Sequence, residues 1–140
     1  MTKEVLVAIK GMQDMHGGDS DSVELVSHGV YSLSDGFHLV EYEEIDEEAQ
    51  IITNVQIKAN EEQVEIIRQG PANVNMVFVE QQKTTSCYKT PYGDLDIGIN
   101  TNKINIMEAE EKIEMELSYV LDMNGKPVSE NAVTIRIEAK

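Results

Sequence analysis

Between Ile113 and Met123 the chain alternates without a break. Ile113, Met115, Leu117, Tyr119, Leu121 and Met123 hold the odd positions and are large and mostly apolar, whereas Glu114, Glu116, Ser118, Val120 and Asp122 hold the even ones. Successive side chains of a strand point to opposite faces, so this run is a long strand with one dry and one wet face. Asn124-Gly125 follows at once, and both residues tolerate the positive φ of a two-residue hairpin. The chain returns through Val133, Ile135 and Ile137 with the same period. A run of this kind is the unit of an antiparallel β domain.

The pattern recurs along the whole chain. A first strand covers about Lys3 to Met12, and Gly17-Gly18-Asp19-Ser20-Asp21 reads as a flexible loop. Val23, Leu25, Ser27, Gly29, Tyr31 and Leu33 share a face of the second strand, and Ser34-Asp35-Gly36 turns into a third, Phe37 to Glu44. Ile51, Thr53, Val55 and Ile57 alternate in a fourth, and Asn60-Glu61 leads to Gln63–Gln69. Gly70-Pro71 ends that strand. Val74 to Val79 is apolar on both faces, as in a strand covered on both sides, and Thr84–Thr90 is turned by Pro91-Tyr92-Gly93. Leu95, Ile97 and Ile99 are odd whereas Ile104 and Ile106 are even, so Asn100 to Lys103 must hold a bulge or a tight hairpin. Glu108 to Lys112 is the one segment that reads as a helical turn. Nine or ten strands at about 12-residue spacing imply a barrel or a sandwich, and closure, which removes exposed edges, favours the barrel.

The 140 residues, with 41% apolar and 26% charged side chains, suit one domain spanning 1–140. The net charge of −15 repels phosphate backbones and anionic bilayers, so neither nucleic acid nor membrane is an expected partner. No 18-residue apolar stretch and no useful signal-peptide core occur, and Cys87, the single cysteine, excludes an internal disulfide. The expected location is the reducing cytoplasm, with Cys87 a structural thiol because no His, Lys or Arg pattern activates it.

Several segments together carry a resemblance: Tyr42-Glu43-Glu44, Arg68-Gln69-Gly70, Met76-Val77-Phe78, Tyr88-Lys89-Thr90-Pro91-Tyr92-Gly93, and Leu95-Asp96-Ile97 ahead of Thr101. In this order and spacing they resemble the YwiB-like family of Gram-positive bacteria, small cytoplasmic proteins of unknown function assigned to the calycin or streptavidin-like β-barrels. The resemblance covers nearly the whole chain. It implies an all-β fold, a single antiparallel barrel of about 8–10 strands, and no reaction. Better-known calycins fit poorly. The chain has no Trp for a lipocalin Gly-x-Trp or a biotin site, and its last strand, Thr134-Ile135-Arg136-Ile137-Glu138, lacks the Arg-x-Tyr pair of fatty-acid-binding proteins.

Arg68 is the most informative single residue. It shares parity with Val64 and Ile66, so it lies on the core face. A guanidinium does not deprotonate, and burying it unpaired is costly. It should meet Glu44, Glu43 or Asp96 as an internal ion pair, lie at the barrel rim, or anchor an anionic ligand. Tyr31 and Tyr119 share parity with apolar neighbours and should point inward, each hydroxyl with a hydrogen-bond partner. Tyr42 and Tyr88 sit on strands mixed on both faces. Arg68, Tyr31, Tyr42, Glu44, Tyr88 and Tyr119 therefore form the candidate ligand-binding set, a few polar anchors in an apolar wall.

No catalytic signature occurs, and no cofactor or metal is expected. Glu41-Tyr42-Glu43-Glu44-Ile45-Asp46-Glu47-Glu48 lacks the spacing of a calcium loop and reads as a solvated hairpin end, as does the Gly18–Ser22 loop. His16, His28 and His38 have no neighbouring His or Cys at ligand spacing. Glu114 and Glu116 share an exposed face with no cleft to raise a pKa, and five methionines, Met12, Met76, Met107, Met115 and Met123, read as core filling. The leading expectation is a non-enzymatic barrel binding a small amphipathic or anionic ligand in its lumen. The alternatives are an interaction protein with a filled core that docks a protein partner through its acidic rim, and an enzyme without a recognisable signature.

Overall fold

A computed structural model of the protein describes residues 4–15 and 20–140. Ten strands follow one another: β1 (Glu4–Met15), β2 (Ser20–Ser34), β3 (Phe37–Asp46), β4 (Ile51–Ala59), β5 (Gln63–Gln69), β6 (Val74–Val79), β7 (Lys83–Thr90), β8 (Gly93–Ala109), β9 (Lys112–Met123) and β10 (Lys126–Ala139). They form one antiparallel sheet in the order β6-β5-β4-β3-β2-β1-β10-β9-β8-β7. Every sequential pair but one is laddered, and β1 pairs with β10 near the chain ends, so the meander wraps into a nearly closed barrel. Two hairpins turn where the residues tolerate it: Asp35-Gly36 and Asn124-Gly125 all have positive φ.

The remaining seam lies between β6 and β7. One backbone bridge, Asn73 to Lys89, joins them at one end. Between that bridge and the Glu80–Gln82 turn, Thr84 Oγ1 donates to the Val77 carbonyl and Ser86 Oγ to the Asn75 carbonyl. Side-chain hydroxyls thus stand in for ladder bonds.

The core is the barrel's inner face. Val5, Val7, Ile57, Val64, Phe78, Ile99, Met115, Leu117, Ile135 and Ile137 are essentially inaccessible. A void large enough for water would leave its walls accessible, so the middle of the barrel is packed solid around them.

The phase slip in β8 is a bulge, with the pairing to β9 shifting between Thr101 and Lys103. It keeps Ile97 and Ile99 on the same face as Ile104 and Ile106. Several expectations need correction. β1 runs to Met15, and Ser20 and Asp21 open β2 rather than closing a loop, because cross-strand pairing holds these polar residues in the sheet. Gly17, Gly18, Asp19 and His16 lie outside the described residues. Glu108–Lys112 is a hairpin and not a helical turn: Ala109 pairs with Lys112 around Glu110-Glu111, and ladders on both flanks outcompete one isolated helical turn. β6 is not covered on both sides. Asn75 is exposed and Val77 and Val79 are half-buried on the outer wall, which no second layer covers. Cys87 is exposed and free.

Candidate functional site

Directly paired residues of an antiparallel ladder share a face. Tyr42 pairs with Val55, Val55 with Arg68 and Arg68 with Val74. The Asn73–Lys89 bridge then sets Val74 opposite Tyr88 across the seam. Tyr42, Val55, Arg68, Val74 and Tyr88 therefore form one row across five strands. Val55 and Val74 are buried, so the row faces inward. At about 4.8 Å per strand, Tyr42 and Tyr88 each stand about 10 Å from Arg68, one on either side.

Glu44 lies two residues beyond Tyr42 on β3, hence on the same face and one pleat nearer the barrel end. It is the partner of Arg68, in preference to Glu43 or Asp96. Arg68 Nη2 donates to Glu44 Oε1 at 2.9 Å and to Oε2 at 2.5 Å. One nitrogen serves both oxygens, so this is not a two-nitrogen fork, and Nη1 and Nε have no hydrogen bond among the described residues. The side chains are 38% and 23% exposed, which puts the pair at the mouth of the barrel and not in its core.

Tyr42 is buried, and its hydroxyl has no hydrogen-bond partner among the described residues. Burial drives its pKa well above the ordinary tyrosine value; the Glu44 charge adds to this and Arg68 opposes it. Tyr119, on β9, meets Phe78 edge-on at 4.8 Å between centroids. Its hydroxyl also lacks a partner, contrary to expectation, and burial raises its pKa. Thr101 Oγ1 is the one fully buried side-chain atom left without a partner among the described residues. The Tyr42 and Tyr119 hydroxyls thus keep access to solvent, which meets their hydrogen-bonding needs.

Tyr31 belongs elsewhere. Its hydroxyl lies 2.7 Å from His38 Nδ1, and His38 Nε2 meets Glu108 Oε1. With the phenol donating to Nδ1, the imidazole carries its proton on Nε2 and donates it to Glu108. In the ring of ten, β3 and β8 lie five steps apart in either direction, so this relay crosses the far end of the barrel like a strap. Burial, and then the Glu108 charge, raise the Tyr31 pKa. A cleft of about 370 Å³ lies beside it, lined by His38, Asn60, Ile106 and Glu108 among others.

Sequence reading missed His38 and Glu108. His38 shares parity with Val40, and Glu108 shares it with Ile106 once the bulge is counted, but nothing local says that the two meet. It also placed Asp122 on a wet face. Asp122 is in fact buried on the outer wall, 3.2 Å from Lys83 Nζ and 3.3 Å from the Asn100 amide nitrogen.

A meander barrel with a packed middle and polar groups at both ends defines the class: a small antiparallel β-barrel protein without a recognisable catalytic centre among its described residues. Residues 7–135 match the family described as "Domain of unknown function (DUF1934)", and the chain belongs to that family. It is 25% identical over 121 residues to the "Uncharacterized beta-barrel protein YwiB" of Bacillus subtilis (strain 168), an overlap of 86% of this chain and 84% of the relative. The crystal structure of the ywiB protein from Bacillus subtilis superposes with a TM-score of 0.87 at 21% identity, covering 99% of this chain and 92% of the other, and shares its fold.

Proposed function

We propose that the protein binds a small amphipathic anion at the Arg68 mouth of the barrel and catalyses no reaction on it. The observation that carries this reading is the state of Arg68. Its Nη1 and Nε have no hydrogen bond among the described residues, and it sits in an inward row between the tyrosines Tyr42 and Tyr88. A carboxylate or phosphate head would take the free guanidinium donors, and its tail would lie against half-buried Met76 and against Leu95, which pairs with Tyr88. The packed middle limits such a ligand to the mouth. The single unpaired cysteine and the net charge of −15 support a cytoplasmic role without nucleic acid.

Calorimetric titration with dodecanoate, dodecyl phosphate and dodecyltrimethylammonium tests this. The two anions should bind and the cation should not, and Arg68→Met should weaken the anions about tenfold or more. Equal binding by wild type and Arg68→Met, or no binding of either anion, refutes it. The alternative expectation, a filled barrel docking a protein through its acidic rim, draws on the same packed middle and bears on one particular surface.

A further inference from the structure

The β2–β3 ladder stops early. Its last pair is Gly29 with Tyr42, yet β2 goes on pairing with β1 as far as Ser20, and β3 goes on pairing with β4 as far as Asp46. Below Gly29 the two strands part into a fork. Ser20 to His28 of β2 are laddered on one side only, and so are Glu43 to Asp46 of β3. At the crotch Ser27 Oγ donates to the Glu43 carbonyl at 3.2 Å. Gly29 permits the close approach there, since a Cβ would lie 2.9 Å from the Glu41 carbonyl oxygen. A groove of about 880 Å³ opens beside it, with Gly29, Tyr42, Glu41, Glu43, Val30 and Ile45 among its lining.

Sheet edges in native proteins are normally guarded by charged side chains, Pro, bulges or covering loops. The β2 edge from Ser20 to His28 has no Pro and no bulge, its two charges, Asp21 and Glu24, are both acidic, and it displays Val23 at 61% and Val26 at 69% exposure. Its surroundings are acidic. Asp21 and Glu24 lie on β2, Glu41, Glu43 and Asp46 lie on β3, and Glu47 and Glu48 follow. Two cations lie nearby: Lys10 is held by Glu24 at 3.6 Å, and Lys140 joins Glu4 in the groove lining.

We infer that this fork is the docking site for an extended segment of another protein, with alternating apolar and basic side chains, which adds to the β2 edge as a further strand. Main-chain bonds to β2 would supply affinity, and the apolar side chains, all on one face of the added strand, would cover Val23 and its face-mate Leu25. Basic side chains would meet the acids of β3 and select the partner. A second copy of this chain is a poor occupant, because two edges bearing Asp21 and Glu24 on molecules of charge −15 repel. The inference deepens the acidic-rim alternative by naming its partner class. It does not depend on the Arg68 reading, because Arg68 is not part of the groove lining.

The probe is a fluorescein-labelled, end-capped nonapeptide of alternating Lys and Val, followed by anisotropy and by hydrogen exchange on the full chain. Controls are the alternating Glu-Val peptide and a Lys-Val peptide of equal charge with two of its valines replaced by Pro. The basic peptide should bind and slow exchange at 20–28, and both controls should fail. Val26→Lys with Glu43→Lys should weaken binding about tenfold or more. Equal binding of the proline peptide would reduce the effect to bulk charge and overturn the proposal, as would protection confined to other strands. A free-protein dimer that already protects 20–28 would give the edge to a second copy and also overturn it. Absence of binding by the basic peptide while another, non-basic protein segment protects the same amides would refute the partner class but leave rim docking standing.

Discussion

Asn73 and Lys89 exchange both of their backbone hydrogen bonds, at 2.8 and 2.9 Å, and make the single ladder rung between β6 and β7 among the described residues. Along the rest of the seam Thr84 and Ser86 donate side-chain hydrogen bonds to β6. Thr84→Val with Ser86→Ala keeps side-chain size similar but removes both hydroxyls. Each loss should cost about 1 kcal/mol. Urea unfolding should show the sum, and hydrogen exchange should speed up in β6 and β7 ahead of β9 and β10. Uniform acceleration over all strands would mean that the seam is no weaker than the rest of the wall.

Arg68 and Glu44 form a half-exposed pair, so solvent screens them. A fully buried pair would lose on the order of 3 kcal/mol when one partner is removed. Here Arg68→Met should cost only about 1 kcal/mol in urea unfolding of the free protein. A loss several times larger would show that the guanidinium is needed for folding rather than held for a ligand.

Tyr31, Tyr42 and Tyr119 all have pKa values raised in the folded state. The folded protein then holds these protons more tightly than the unfolded chain, whose tyrosines titrate near an ordinary value of about 10. Their contribution is fully present below about pH 10 and is lost as pH rises from there toward the folded-state values. Stability measured by urea unfolding should fall steeply above about pH 10, and Tyr42→Phe should reduce that slope. An unchanged slope would remove Tyr42 from the account.

At the crotch of the fork, Gly29 is constrained from two sides. A Cβ there meets the Glu41 carbonyl at 2.9 Å and Val7 Cγ2 at 3.0 Å. Backbone cannot yield cheaply, so Gly29→Ala should destabilise by about 1–3 kcal/mol and shorten the β2–β3 pairing. A thermal melt with exchange data on residues 29–34 checks this, and a neutral outcome would mean that the strands separate there at little cost.

The strap across the far end makes a further expectation. His38→Phe leaves the part-buried Tyr31 hydroxyl without its partner and unties β3 from Glu108 on β8. It should cost about 1–2 kcal/mol. Tyr31→Phe with His38→Phe should recover part of that loss, because no orphaned hydroxyl remains. If the double variant is no better than the single, the hydrogen bond is not the source of the effect.

The strands and most of their inward faces were legible in the chain because β structure is written with a period of two, although Val23 and Leu33, on the face of Tyr31, are exposed beyond the core. The hairpins at Asp35-Gly36 and Asn124-Gly125, the inward Tyr31 and Tyr119, and Arg68 on the core face all follow from local chemistry. Even the β8 bulge announced itself as a slip of phase. The resemblance carried by Tyr42-Glu43-Glu44 and Arg68-Gln69-Gly70 reached the family. Only the tertiary structure decided what depends on register and curvature. Local pattern says which face a side chain takes but not its height on the barrel wall, so it could not rank Glu44 above Glu43 and Asp96 as the partner of Arg68. Nor could it bring His38 to Glu108 from opposite strands, close β6 on β7 with hydroxyls, or stop the β2–β3 ladder at Gly29. Those features come from how far each strand slides and tilts against its neighbours when the sheet closes, a property of the whole ring rather than of any one segment.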